Sequence, residues 1–278
     1  MLPIIKWAGG KRRFANQITA IIGNDYKCYY EPFIGGGAIL LHMMPKKAVC
    51  SDINEELINF YNVVKNSPEE LIKEMDKYVN ENNKEFYLNI REYDRNGMIE
   101  QMNSVQRAGR FLYLNKTCYN GLWRVNNKGE FNVPYGKYVN PKFFDVNELN
   151  EASKYFKNVE FNVCDYKKTA MKAKKGDFVY FDPPYDVEEG QNSFVSYTKS
   201  GFNQDNQRQL KELCDTLIRR GVTVGISNSN TKFIKDLYCS DDYISYELHE
   251  DIIVNRTIGG TPSSRRQVTE LFILGRKR

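Results

Sequence analysis

The run Asp177-Phe178-Val179-Tyr180-Phe181-Asp182-Pro183-Pro184-Tyr185 holds the residue types best suited to chemistry in this chain. Its uncharged aromatic and β-branched residues predict a fully buried parallel strand, and its two prolines predict where that strand stops. In an open α/β sheet ligands bind outside the carboxyl ends of the strands, which places Asp182 to Tyr185 at the mouth of the fold. Neither proline has an N–H, and Pro184 pushes Pro183 into an extended conformation. A carboxylate, outward-facing carbonyls and an aromatic face are therefore expected on one stiff turn.

Such a set suits the exocyclic amine of a nucleobase, whose lone pair is delocalised into the ring. If Asp182 and the Pro183 carbonyl accept its two N–H bonds, the nitrogen is drawn toward tetrahedral geometry and can attack an electrophilic methyl group. Tyr185 would stack on the base, which must first leave its duplex. The plainer reading is a strand and a Pro-rich turn whose Asp caps a loop. Average residue usage puts a chance Asp-Pro-Pro-Tyr in about one chain in a thousand of this length.

Other segments carry signals that position this turn. Tyr29-Tyr30-Glu31-Pro32-Phe33-Ile34-Gly35-Gly36-Gly37-Ala38 reads as a strand ending near Glu31, a glycine turn and a helix opening at Ala38, the arrangement of a nucleotide-type cofactor site. The spacing is not G-x-G-x-x-G and no phosphate-binding Lys-Ser/Thr follows, which disfavours a dinucleotide or ATP. Ala48 to Asn54 reads as a second strand ending in Asp52, placed either to bind ribose hydroxyls or to cap the helix that carries Leu57, Ile58 and Tyr61. Val159 to Tyr166 is a further strand ending in an acid, Asp165. Lys6-Trp7-Ala8-Gly9-Gly10-Lys11 offers close backbone approach, an indole and two charges, or simply a flexible basic N-terminus.

From Ser67 the strand and helix alternation is interrupted. Ser67-Pro68-Glu69-Glu70 predicts a capping box with proline at the first helical position, and helical spacing continues over about 84–94 and 104–114. Within this block Asn126 to Gly129 predicts the turn of a hairpin. Tyr119, Leu122 and Trp123 near its base suit wedging between base steps, Arg124 suits a bidentate contact to guanine, and Lys116, Lys128 and Lys137 suit phosphates. A solvated hairpin with ordinary aromatic packing is the alternative. After the Asp182 strand, a loop over the pocket is expected at Phe194 to Phe202, then a helix from Gln204 to Arg220 and a strand from Val222 that ends in Ser227-Asn228-Ser229. Arg256, Arg265 and Arg266 suit backbone contacts or an ordinary basic loop.

At 278 residues and 41% hydrophobic content the chain can bury one large core or two. Its net charge of +5 permits a polyanionic partner, and its 19 Tyr and 16 Phe supply stacking surfaces. The six cysteines form no C-x-x-C pair and there are only two histidines, so neither a zinc framework nor a disulfide scaffold is written here. No leader pattern and no run of membrane-spanning length occurs. A soluble, cytoplasmic protein is expected.

With Lys6 to Lys11, Glu31 to Gly37, Ser51 to Asn54, Tyr119 to Gly136 and Asp182 to Tyr185 in this order, the chain resembles the Dam-type family (D12 class, alpha group) of DNA adenine-N6 methyltransferases. The resemblance covers most of the chain. It implies a Rossmann-like, doubly wound α/β sheet over 1–62 and 141–278, with an inserted helical and β-hairpin target-recognition domain over 63–140. It implies S-adenosyl-L-methionine as cofactor, with Trp7, Lys11, Asp52 and Asp182 as contacts, Phe33 and Gly35 in the cofactor loop, and Asp165 and Tyr166 near the adenine ring. Asp182, Pro183, Pro184 and Tyr185 match the family's catalytic turn. Lys6, Tyr119, Asn120, Leu122, Arg124 and Lys137 match its DNA contacts, although relatives often carry Arg at the place of Lys137, and a Lys lacks the planar fork. The implied partner is double-stranded DNA, at GATC or a GATC-like site, with no metal and no membrane. A monomer is expected, and a cognate restriction enzyme would act separately. Methylation of cytosine N4 or of RNA, or DNA binding without catalysis, are the competing readings.

Overall fold

Short runs rich in aromatic and β-branched residues become strands, and most amphipathic runs that open on a polar residue become helices. The computed structural model describes residues 1–81, 83–186, 202–255 and 267–278, with the backbone alone described at 251–255 and 267–269. Phe194 and most of the expected loop over the pocket, together with Arg256, Arg265 and Arg266, lie outside the described residues.

In chain order the elements are α1 (Ala15–Ile22), β1 (Tyr29–Glu31), α2 (Ala38–Met43), β2 (Ala48–Asp52), α3 (Glu55–Asn66), α4 (Pro68–Val79), α5 (Lys84–Arg91) and α6 (Ser104–Thr117). There follow α7 (Val146–Phe156), β3 (Val159–Val163), α8 (Tyr166–Ala170), β4 (Phe178–Phe181), α9 (Gln204–Arg219), β5 (Thr223–Ser229), α10 (Lys232–Leu237), β6 (Ile244–Asn255) and β7 (Gln267–Lys277). The strands form a seven-stranded sheet of order β3-β2-β1-β4-β5-β7-β6. β1 lies parallel to β2 and to β4, and β4 parallel to β5, while β7 runs antiparallel to β5 and β6. Strand order reverses between β1 and β4, the switch point of this Rossmann-like α/β sheet.

The sequence pattern does not reveal the β6–β7 pair. β6 mixes Glu247, His249, Glu250 and Asp251 into its run, as an edge strand does, and shifts register between His249 and Ile252. α1 and α7 are likewise additions to the reading. Ser67 does start α4, with Pro68 at its first position, but its side chain makes no capping bond. The reason is its double duty, because Ser67 also ends α3 and its N–H donates to the Val63 carbonyl. A full capping box instead opens α6, between Asn103 and Gln106.

Contacts divide the chain into two compact units. The first comprises Met1–Arg12, Ile34–Met44 and Ser51–Cys164, the second Arg13–Phe33, Pro45–Cys50 and Asp165–Arg278. The first unit is built on rings: Phe111 of α6 packs against Phe60 of α3 (5.3 Å between centroids), Trp7 (6.4 Å) and Trp123 (4.4 Å), and Trp123 continues to Phe131 (4.8 Å). Burying rings of this size is worth roughly 1.5–3 kcal/mol each. The second unit is mainly aliphatic at its centre, with Val179, Leu210, Leu217, Val224, Ile226, Leu271 and Ile273 buried around Phe181.

Candidate active site and recognition loop

In the first unit the glycine turn between β1 and α2 is fastened by three groups. Asp52, at the end of β2, accepts from the Gly35 N–H at 3.2 Å and the Asn54 N–H at 3.0 Å. The Tyr61 hydroxyl donates to the Gly35 carbonyl at 2.8 Å. Trp7 lies against the turn so closely that a Cβ on Gly35 would sit 2.7 Å from its Cδ1 and one on Gly36 2.9 Å from its Cβ. Gly35 also has φ +45°, so both its backbone and its neighbour demand glycine. Burial raises the Asp52 carboxyl above its usual range, against the pull of these backbone N–H groups. Asp52 does not cap α3; Asn54 does, accepting from the Leu57 N–H at 3.1 Å. Lys11 is buried, with its ammonium 2.7 Å from the Gly9 carbonyl.

The same unit carries the loop after α6. Among the expected DNA contacts, Lys6 and Asn120 are gathered by residues that the sequence reading left out. The fully buried Asn115 accepts from the Lys6 N–H at 3.0 Å and donates to the Lys6 carbonyl at 2.8 Å and the Gly121 carbonyl at 3.4 Å. Tyr138 places its hydroxyl 3.0 Å from the Asn120 N–H and its ring 4.4 Å from the Lys6 ammonium. Tyr119 is 54% exposed beside them. Trp123, by contrast, packs into the ring stack and does not stand ready as a wedge. Leu122 is half-buried, and Lys137 is exposed with φ +56°.

The expected hairpin is present as two isolated bridges, Cys118 to Tyr135 and Val125 to Phe131, closed by a turn in which Asn126 accepts from Lys128 and Glu130. Arg124 is held across it, its Nε 2.6 Å from Asn132 Oδ1 and its Nη2 3.2 Å from the Asn132 carbonyl. Ionic groups anchor the far strand. Arg110 of α6, 1% exposed, pairs with Asp94 at 2.9 Å, and the same Asp94 oxygen accepts from the Phe131 N–H at 2.8 Å. Arg95 donates to the Phe131 carbonyl at 3.0 Å and faces Glu130. Lys116 turns inward, donating to the Ile4 carbonyl, and burial lowers its ammonium to about 8. It lines a cavity of about 80 Å³ with Pro3, Phe143 and Leu149.

In the second unit Asp182 to Asp186 follow β4. Asp182 is half-buried, and its charge adds to burial in pushing the Tyr180 phenol well above its ordinary value. The Tyr185 hydroxyl donates to Glu270 of β7 at 2.9 Å; burial first, then Asp182 and Glu270, raise its phenol strongly. Gln207 of α9 donates to the Pro184 carbonyl at 3.0 Å. Phe33 stacks on Tyr166 at 5.0 Å, and Phe202 meets both edge-on at 6.0 Å. The Tyr166 hydroxyl is buried with no hydrogen-bond partner among the described residues, and its phenol is pushed up to about 12, mainly by burial. Asp165 caps α8, accepting from the Lys167 N–H at 2.8 Å. Gln207, Glu270 and Phe202 are further residues that the sequence reading did not single out, since their roles arise only once distant segments meet.

The first unit offers a glycine turn tied to an acid. The second offers a flat aromatic wall with an unsatisfied hydroxyl beside it, and a carboxylate followed by carbonyls on a fixed turn. No cluster of three or more His, Cys, Asp or Glu side chains able to hold a metal occurs among the described residues, and no described helix is long and apolar enough to cross a membrane.

The family model described as D12 class N6 adenine-specific DNA methyltransferase matches residues 7–252 of this chain. The Type II methyltransferase M1.LlaDCHI of Lactococcus lactis subsp. cremoris is 41% identical over 273 residues, covering 98% of this chain and 94% of its own. The Type II methyltransferase M.MjaIII of Methanocaldococcus jannaschii is 44% identical over 253 residues, covering 85% and 87%. The DNA adenine methylase of Escherichia coli K12 is 33% identical over 272 residues, covering 97% and 94%.

Proposed function

The chain belongs to the D12 class of N6 adenine-specific DNA methyltransferases, and from that premise we propose that it moves a methyl group from S-adenosyl-L-methionine to adenine N6 in duplex DNA, at GATC or a GATC-like site, after flipping the base. The observation that carries the reading is the turn after β4, where Asp182, two prolines and Tyr185 stand at the end of a buried strand with the Pro184 carbonyl held by Gln207.

The residues present fit the cofactor. The Phe33 and Tyr166 rings suit its adenine, and the buried, unpartnered Tyr166 hydroxyl is a polar group that a ligand would satisfy. Gly35 leaves the turn without a side chain, and Asp52, Trp7, Lys11, Asp165 and Asp182 complete the proposed contacts. The cofactor supplies an electrophilic methyl group on a sulfonium. Asp182 and the Pro183 carbonyl accept the two N–H bonds of the adenine amine and orient its lone pair. As positive charge builds on that nitrogen, Asp182 stabilises the transition state more than the ground state. Tyr185 stacks on the base, and the turn fixes both groups before reaction.

Residues 63–140 are assigned to target recognition and 1–62 with 141–278 to catalysis. Arg124 reads a guanine, Lys6, Tyr119, Asn120 and Leu122 contact the target site, and Lys137 meets a phosphate. A cytoplasmic monomer acting without a metal is part of the reading, as is a restriction enzyme acting separately. The test is incubation with S-adenosyl-L-methionine and unmethylated genomic DNA, followed by sequencing that separates N6-methyladenine from N4-methylcytosine. Methyladenine in one short motif is expected. Methylcytosine, or modification of RNA alone, overturns the substrate assignment, and methyladenine at unrelated sites overturns the GATC-like specificity.

A further inference from the structure

We propose that Gln207 and Asn228 form a neutral amide relay that fixes Tyr185 and its flanking peptides for methyl transfer, making both of them positioning residues. The inference rests on the assignment of Asp182 to Tyr185 as the catalytic turn.

Both side chains are fully buried. Asp186 N–H donates to Asn228 Oδ1 at 3.3 Å, Asn228 Nδ2 donates to Gln207 Oε1 at 3.0 Å, and Gln207 Nε2 donates to the Pro184 carbonyl at 3.0 Å. The relay leaves the turn at Asp186 and returns to it at Pro184, so it closes a ring of hydrogen bonds around the one residue between them, Tyr185. Its direction is fixed at every link. Reversing the Asn228 amide would set an NH2 group against the Asp186 and Ser229 N–H groups, both of which now donate to Oδ1. The turn is gripped twice more, by Ser229 Oγ at the end of β5 to the Asp186 carbonyl at 2.8 Å and by Thr231 Oγ1 at the start of α10 to the Asp186 carboxylate at 2.9 Å.

Two buried primary amides without a ligand of their own are costly unless their polar groups are paired, and here the pairing is spent on a turn. β5 and α9 are rigid elements of the core, so the relay transfers their rigidity to the peptide that carries the stacking ring. The Tyr185 hydroxyl is tethered separately to Glu270. Backbone and ring tip are thus fixed by different partners, which sets the direction of the ring's long axis.

The experiment compares wild type with Gln207→Met, which keeps length and removes both links. Asn228→Leu is the second variant; it keeps the approximate side-chain volume and removes both the acceptor of the Asp186 N–H and the donor to Gln207, and it serves alone if Gln207→Met does not fold. Single-turnover methylation of a duplex with one site should fall about 100-fold, the loss expected of a reacting group displaced by about 1 Å. Dissociation constants for S-adenosyl-L-methionine and DNA should change less than about threefold, because a loss of orientation at the reacting centre leaves ground-state binding intact. In Asn228→Leu the Asp186 amide, deprived of its acceptor, should also lose hydrogen-exchange protection. Unchanged rates in either folded variant, or unchanged Asp186 protection in folded Asn228→Leu, overturn the relay. A wild-type protein that methylates no adenine overturns the catalytic reading instead, and the relay is then decided by the Asp186 exchange alone.

Discussion

Two turns in this molecule are held rigid by opposite means. The turn after β4 is clamped by neutral amides and hydroxyls, Gln207, Asn228, Ser229 and Thr231. The loop after α6 is anchored by charge, through Arg110 on Asp94, Arg95 on Glu130 and Phe131, and Arg124 on Asn132. Neutral amides in a dry core are indifferent to salt and to pH across the working range, so the two peptide groups that Gln207 and Asn228 hold on either side of Tyr185 are insulated from the medium. Charged groups answer to other charges, and a loop proposed to meet phosphates is held by side chains that phosphates attract. The turn proposed for chemistry and the loop proposed for recognition are thus held by different kinds of bond.

The largest effect expected is at the neutral turn. Asp182→Ala should lower single-turnover methylation about 1,000-fold, as removal of a preorganised transition-state partner does, with a smaller loss of cofactor affinity. A near-normal rate would sink the assignment and with it the catalytic half of the contrast.

The charged loop is broken most severely through its buried ion. Asp94→Ala leaves Arg110 unpaired in a dry site and should cost about 3–5 kcal/mol in urea denaturation, whereas Asp94→Leu with Arg110→Met should recover most of it. Equal losses in the single and double variants would mean that packing, not charge, anchors the loop.

Arg124→Ala sharpens the contrast by changing the charged loop while leaving the turn after β4 with all of its partners. Discrimination between the preferred site and one with its outer guanine replaced should fall by about 1–3 kcal/mol, measured as a ratio of kcat/KM values, while the maximal rate changes little. An unchanged ratio would remove Arg124 from base reading.

The smallest effect concerns Lys116 under the loop. Its folded value, about 8, lies below the unfolded value of about 10.4. Between these the unfolded chain binds more protons, so stability contributed by this residue rises with pH from about 8 to about 10.4. The stability of wild type relative to Lys116→Met should therefore be greater at about pH 9.5 than at about pH 7.5 in paired urea titrations. A constant difference would show that the ammonium is not desolvated.

Features carried by adjacent residues were legible in the sequence. The glycine turn, the strand ending in Asp52 and the stop at Asp182 each announce themselves by composition, whereas the run expected to end in Asp165 leaves its strand at Val163, because the Asp165 carboxylate caps α8 and Tyr166 is already helical. Supports supplied from a distance were not. Asn115, Tyr138, Gln207 and Asn228 sit in ordinary helix, loop and strand contexts, and their importance comes from segments brought to them by folding. Ser67 shows the converse, a motif correct in letters but spent on joining two helices. Trp123 reads as a solvent-facing wedge until Phe111 and Phe131 are placed on either side of it.

The ring stack of the first unit has an optical consequence. Both tryptophans of the chain, Trp7 and Trp123, touch Phe111, and the second unit has no indole at all. Emission excited at the red edge, where tyrosine absorbs little, therefore originates in the first unit, from one indole against the glycine turn and one beside the loop after α6. A stopped-flow trace of that emission would time events at both of these places, and single replacement of either indole would separate the step at the proposed cofactor turn from the step at the proposed recognition loop.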